Sequence, residues 1–165
     1  MKTITVSEAF GSAPPRSAAV LCLQGTGGCT DLMLCDWFTW LNIRRNPMIS
    51  FSLPRKAPMA ANLREGDSFV LAFPRLAEAK RYENAVSVKA DPPETESAEA
   101  DGMEKAPVRE PETTSVKGLP VRVPGGSEVL LRGTVAGAYN YPFKKVRIFN
   151  CNLEEALCST KNLLD

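Results

Sequence analysis

Strand-length apolar runs, each stopped by a glycine or proline turn, constrain this chain more than any other feature. Ala18 to Gln24 is one such run, and Gly25-Thr26-Gly27-Gly28 closes it with a turn that tolerates positive φ. A second run starts near Thr30 and continues through Leu34 towards Trp37, so strand, glycine turn and strand read as a hairpin. Residues 43 to 47 are a break, because Pro47 biases Asn46 away from helix. Residues 48 to 53 read as a largely buried strand, although Met48, Phe51 and Leu53 alternate poorly with Ile49, Ser50 and Ser52. Phe69 to Phe73 is a buried strand ended by Pro74. Leu119 to Val123, Glu128 to Ala136 and Lys145 to Leu153 add three more, and the last is expected to point Val146 and Ile148 inward and Arg147 outward. Helical stretches are expected at Met59 to Glu65, Leu76 to Val86 and Leu153 to Leu164, with residues 1 to 16 a lead-in. About seven strands with few helices and close turns favour an antiparallel barrel.

A chain of 165 residues fits one domain and buries enough surface to need no disulfide or metal staple. A net charge of +1 gives no argument for nucleic acid or an anionic membrane. No apolar run approaches the ~20 residues that span a bilayer. MKTITVSEAF lacks an apolar signal core, so a cytoplasmic protein is expected. Five cysteines without a C-x-x-C pattern argue for reduced thiols rather than a disulfide framework or zinc ribbon. Residues 91 to 115, rich in Pro, Glu, Ser and Thr with no aromatic, cannot offset the entropy of ordering themselves. They read as a flexible acidic insertion within a single domain of residues 1 to 165, either a solvated spacer or a partner-binding loop.

The chain has no histidine. Ser-His-Asp and Cys-His catalysis, histidine bases and most zinc or iron sites are thereby removed. If the chain is an enzyme, an organic cofactor should carry the chemistry.

Asp36-Trp37-Phe38-Thr39-Trp40-Leu41-Asn42, the Asn46-Pro47 turn, Ile49-Ser50-Phe51-Ser52-Leu53, Asn62-Leu63 and Phe69-Val70-Leu71-Ala72-Phe73 follow one another in an order that resembles the flavin reductase-like family, flavoredoxin-like branch. The match runs over roughly residues 14 to 83. The resemblance implies a mainly β fold, a six- to seven-stranded antiparallel Greek-key split β-barrel with a few short helices. It also implies a homodimer that binds FMN at the subunit interface and passes electrons from NAD(P)H or another donor to flavin or an acceptor. The alternative is a non-catalytic flavin-binding module or a degenerate dimeric scaffold.

Under that resemblance the cofactor-binding candidates are Cys35, Asp36, Trp37, Phe38, Thr39, Ser50, Ser52, Arg55, Lys56 and Asn62. Trp37, Phe38 and Thr39 would contact the flavin ring, whose flat apolar faces and polar edge suit aromatic rings and hydrogen-bond donors. The same aromatics also fit barrel core or dimer interface. Asp36 stands where the family commonly has Ser or Ala. A carboxylate beside a flavin disfavours its anionic reduced form, unless the side chain is simply exposed. Cys35 fits a buried, unreactive thiol. Arg55, Lys56 and Ser52 would hold the phosphate side, since adjacent cations suit a phosphate and Arg can grip it bidentately. Ala57 and Met59, however, occupy the positions where the family places its phosphate-binding cation and hydroxyl. Either the loop is re-registered onto Arg55 and Lys56, or the phosphate site is lost. No catalytic residue and no metal is assigned.

Overall fold

The structure is a computed structural model and describes residues 1–12, 18–35, 37–89, 112–142 and 144–159. The elements run β1 (Lys2–Ile4), α1 (Val6–Ser12), β2 (Ala19–Gln24), β3 (Cys29–Cys35), β4 (Phe38–Asn42), β5 (Met48–Pro54), α2 (Pro58–Asn62), β6 (Ser68–Phe73), α3 (Leu76–Ala79), β7 (Val86–Lys89), β8 (Thr113–Ser115), β9 (Arg122–Pro124), β10 (Val129–Asn140) and β11 (Val146–Cys158). Short 3-10 turns fill Thr26–Gly28 and Lys80–Tyr82.

The long β10–β11 hairpin organises the barrel. Along its first half, β10 pairs with β6, from Val129↔Phe73 to Thr134↔Ser68. Along its first half, β11 pairs with β5, from Val146↔Pro54 to Asn152↔Met48, and its last residues pair with β1. One sheet therefore reads β4-β5-β11-β10-β6-β2-β3-β7. The hairpin splits it into a β4–β5 wing and a β6–β2–β3–β7 wing. Bulges between Arg132 and Gly133 and between Val135 and Gly137 mark the change of partner, where an extra residue bends and twists the strand. Gly133 is required there: a Cβ would lie 2.1 Å from the Asn152 main-chain oxygen.

The two wings close on a shared core. Ile49, Phe51 and Leu53 from one wing meet Leu21, Leu23, Met33, Phe69, Leu71 and Phe73 from the other. Phe51 stacks on Phe149 at 5.4 Å and meets Phe69 edge-on at 5.5 Å. Phe38 meets Phe73 edge-on at 5.4 Å. Alternate residues of the larger wing point the other way. Val20, Cys22, Leu32, Val70, Ala72 and Leu130 form a second core under Ala79, Tyr82, Val121 and Val123. That cover is pinned by the Arg122 amide donating to Thr30 Oγ1 at 2.9 Å.

The mainly β split barrel holds, with more strands than the six or seven expected. Residues 2–12 are not a lead-in: β1 pairs with β11, and α1 opens on a capping box in which Thr5 and Glu8 bond reciprocally. Those bonds hold the Glu8 carboxyl below its ordinary range. The expected helix to Val86 stops after Tyr82 and gives way to β7. The expected strand over Leu119 to Val123 is the shorter, later β9. Thr113–Ser115, assigned to the insertion, pairs with β9; residues 90 to 111 lie outside the described residues. Residues 153–158 continue β11 instead of starting a helix, because β10 pairs with them from Gly133↔Leu153 to Val129↔Cys158, and β1 joins on the other side at residues 156–158. In β5, Ile49, Phe51 and Leu53 are fully buried in the core, and Ser50 between them is buried too, at 3% exposure. In β11 the alternation runs opposite to expectation. Phe149, Cys151 and Leu153 face the core, while Ile148 lies opposite Ser52 and away from it. Arg147 donates from Nη1 to the Ala60 carbonyl at 2.7 Å and lies over the Phe149 ring.

Candidate functional site

The outward face of the smaller wing is built in rows. Thr39 lies opposite Ser50, Ser50 opposite Asn150 and Asn150 opposite Gly137. Ser50 Oγ donates to Asn150 Oδ1 at 2.9 Å, which fixes both side chains. In the next row Ser52 lies opposite Ile148, and Ile148 opposite Tyr139. The Ser52 amide donates to the Trp37 carbonyl at 3.1 Å, which brings Trp37 to the other end of that row. Trp37 is 45% exposed and Tyr139 49%. At the usual strand spacing the four columns span about 14 Å. The surface is thus a shallow trough, polar along one row and walled by two aromatic rings. The second core cluster, which covers the reverse face of the larger wing, does not extend over it.

The residues expected from the sequence fall into three places. Trp37, Thr39, Ser50 and Ser52 meet on this face. Phe38 turns inward against Phe73. Cys35 is fully buried, its thiol donating to the Trp37 carbonyl at 3.2 Å, so it anchors the trough from behind. Asp36 lies outside the described residues. Arg55 and Lys56 form the turn that follows β5. The Arg55 amide donates to the Lys145 carbonyl at 2.8 Å, and its guanidinium to the Tyr141 carbonyl at 2.9 Å. Asn62 stands apart. It lines a cleft of about 940 Å³ with Gln24, Leu63, Phe69 and Arg132, which none of the other expected residues reaches. Sequence reasoning missed Asn150, expected Ile148 to face inward, and placed Tyr139 on a loop that could close a pocket with no role beyond packing. The signal was the strand pattern carrying on past Gly137, where a linking loop was expected.

The cysteines offer no nucleophile to this face. Burial pushes the Cys22 thiol up, and burial with Cys35 nearby pushes Cys151 up to about 12. Cys158 is raised by burial and by Glu128. All five cysteines are free thiols, and Cys22, Cys151 and Cys158 stay protonated at neutral pH. Among the described residues no cluster of Cys, Asp or Glu could hold a metal ion, and no helix is long and apolar enough to cross a membrane.

No family model matches the chain, and no curated protein matches it. Solved structures do. The flavin reductase of styrene monooxygenase from Pseudomonas putida S12 superposes with a TM-score of 0.61 at 15% identity, over 93% of this chain and 86% of that one. Flavoredoxin from Methanosarcina acetivorans gives 0.58 at 16% identity, over 90% and 72%. An FMN-binding domain of a flavin reductases-like enzyme from Shewanella baltica OS155 gives 0.63 at 12% identity, over 97% and 78%. The chain has the fold of the flavin reductase-like split barrels and diverges from them in sequence.

Proposed function

We propose that this protein is a flavin reductase-like oxidoreductase that binds flavin on the outward face of its smaller wing. The observation that carries the reading is the convergence of exposed Trp37 and Thr39 with half-buried Ser52 on one face, over the buried Ser50, with the Arg55–Lys56 turn continuing directly from the strand beneath it. A flavin is flat, apolar on its faces and polar at one edge. Trp37 and Tyr139 suit the faces; Thr39, Ser52 and Asn150 suit the edge. Lys56 and Arg55 suit the phosphate of FMN. The flavin supplies the redox chemistry when bound, and hydride transfer from NAD(P)H to it needs no protein base. The side chains of this chain orient the ring, hold the phosphate and shield one ring face from water.

An open trough shields only one face of a planar ligand. A second copy of the chain laid on the same sheet face would shield the other, which supports a homodimer with the site at its interface. A soluble cytoplasmic setting fits the reading.

A second reading is a flavin-binding module without turnover. Its support is the phosphate turn, where Ala57 and Met59 offer neither cation nor hydroxyl and one Arg55 donor is engaged by Tyr141. Titrating the purified protein with FMN and then following NADH and NADPH oxidation separates the readings. Saturable binding with turnover supports the oxidoreductase, and binding without turnover supports the module. No binding rejects both.

A further inference from the structure

The turn assigned to the flavin phosphate is short, and both of its ends are held. It lies between the end of β5 at Pro54 and the start of α2 at Pro58. At its start the Arg55 amide donates to the Lys145 carbonyl at 2.8 Å, and the Ala57 amide donates back to the Pro54 carbonyl at 2.9 Å. Beyond it α2 sinks Met59 and Ala60 into the barrel core.

α2 has only five residues, too few for a helix to hold its own place. Its last carbonyls have no partner within the helix. The Arg64 amide, four residues beyond Ala60, donates instead to Asp67 Oδ2 at 2.7 Å. The buried Ala60 carbonyl is met from another element, by Arg147 Nη1 at 2.7 Å. The Arg147 guanidinium lies 5.3 Å from the centre of the Phe149 ring, a cation–π contact that fixes where its head points. Phe149 is itself fully buried and stacks on Phe51 of β5. Through Phe149, β11 therefore holds the strand before the turn, and through Arg147 it holds the helix after it.

We infer that Arg147 is a positioning residue for the flavin phosphate. It fixes α2, and through α2 the placement of Arg55 and Lys56. Arg147 lies on the core side of β11 with Phe149, while the trough lies on the other face, so it acts through the turn and not on the ligand. Placement matters here because Ala57 and Met59 supply neither cation nor hydroxyl. The phosphate grip falls on two long exposed side chains, which lose entropy when they close on an anion. A turn held in advance lowers that cost. The inference rests on the flavin reading and names what fixes its phosphate end.

The test compares FMN with riboflavin, the same ring without the phosphate. Arg147→Met keeps an apolar stem over Phe149 and removes the donor. Arg147→Lys returns a donor on a shorter, single-headed side chain. The double variant Arg55→Ala with Lys56→Ala is measured alone and combined with Arg147→Met. We expect the wild type to prefer FMN over riboflavin by about tenfold or more. Arg147→Met should weaken FMN about tenfold and leave riboflavin within about twofold. Arg147→Lys should show a smaller loss, again for FMN alone, and it carries the comparison if Arg147→Met does not fold. In the protein that already lacks the Arg55 and Lys56 side chains, Arg147→Met should change FMN affinity no further. Equal loss of FMN and riboflavin would make Arg147 a prop for the whole barrel and overturn the inference, as would an unchanged FMN affinity. A full second loss in the combined variant would put Arg147 on the phosphate itself and overturn it too. A wild type that binds both flavins equally overturns the inference and spares the ring site. A wild type that binds neither rejects the flavin reading, and the inference with it.

Discussion

The two wings of the barrel share one core yet treat their reverse faces in opposite ways. Behind the larger wing, Val20, Cys22, Leu32, Val70 and Ala72 lie under Tyr82, Val121 and Val123, and the face is sealed. Behind the smaller wing the matching positions are Thr39, Ser50, Ser52, Ile148 and Asn150, flanked by exposed Trp37 and Tyr139. Residues that pack belong to the first face. The second has the polar edges and exposed rings of a surface that binds. Stability should therefore depend on one face and ligand affinity on the other.

Replacing Phe51, which joins the wings through Phe69 and Phe149, should give the largest effect. Phe51→Ala should cost about 3–5 kcal/mol in denaturant unfolding. A smaller loss would mean that the wings do not share a core. The contrast between faces comes next. Leu32→Ala, on the sealed face, should cost about 2–5 kcal/mol and leave FMN affinity alone. Trp37→Ala should stay within about 0.5 kcal/mol in stability and weaken FMN roughly tenfold. An exchange of these two outcomes would break the comparison. Ser50→Ala leaves Asn150 Oδ1 without its donor and should cost about 1 kcal/mol, with a modest loss of FMN affinity. The smallest effect is on pH dependence. Cys151 is held protonated to about 12 in the folded chain, against an ordinary thiol value of 9.0. The unfolded thiol loses its proton first, so this stabilisation is complete below pH 9 and declines as pH rises towards 12. Unfolding measured between those limits should show a slope that Cys151→Ala reduces. A thiol reagent on the native protein should find Cys29 well before the buried four.

Much of this contrast was legible in the sequence. The glycine turn after Gln24, the Asn46–Pro47 break and the runs at 48–53 and 69–73 place β2 to β6 because turn chemistry and apolar runs act locally. The Trp37-to-Ser52 segment pointed to the smaller wing. What stayed hidden depends on pairing across long separations. Lys2–Ile4 is a strand only because the end of β11 offers it an edge. Residues 153–158 are strand because the first half of β10 pairs with them. Arg147 faces the core side because its head reaches the Ala60 carbonyl at the barrel rim, which no local pattern encodes. Asn62 lies apart from the proposed site because the short α2 ends at the separate cleft. Tyr139 and Asn150 share the outward face because β10 continues past its second bulge.

Amide hydrogen exchange with and without FMN tests the central claim most directly, since it reads both faces in one experiment. The account predicts slowed exchange in peptides covering Trp37 to Thr39, Ser50 to Lys56 and Tyr139 to Tyr141, with Leu76 to Tyr82 and Val121 to Val123 unchanged. Protection confined to the sealed face or to the cleft around Asn62, or none anywhere at saturating FMN, would contradict it.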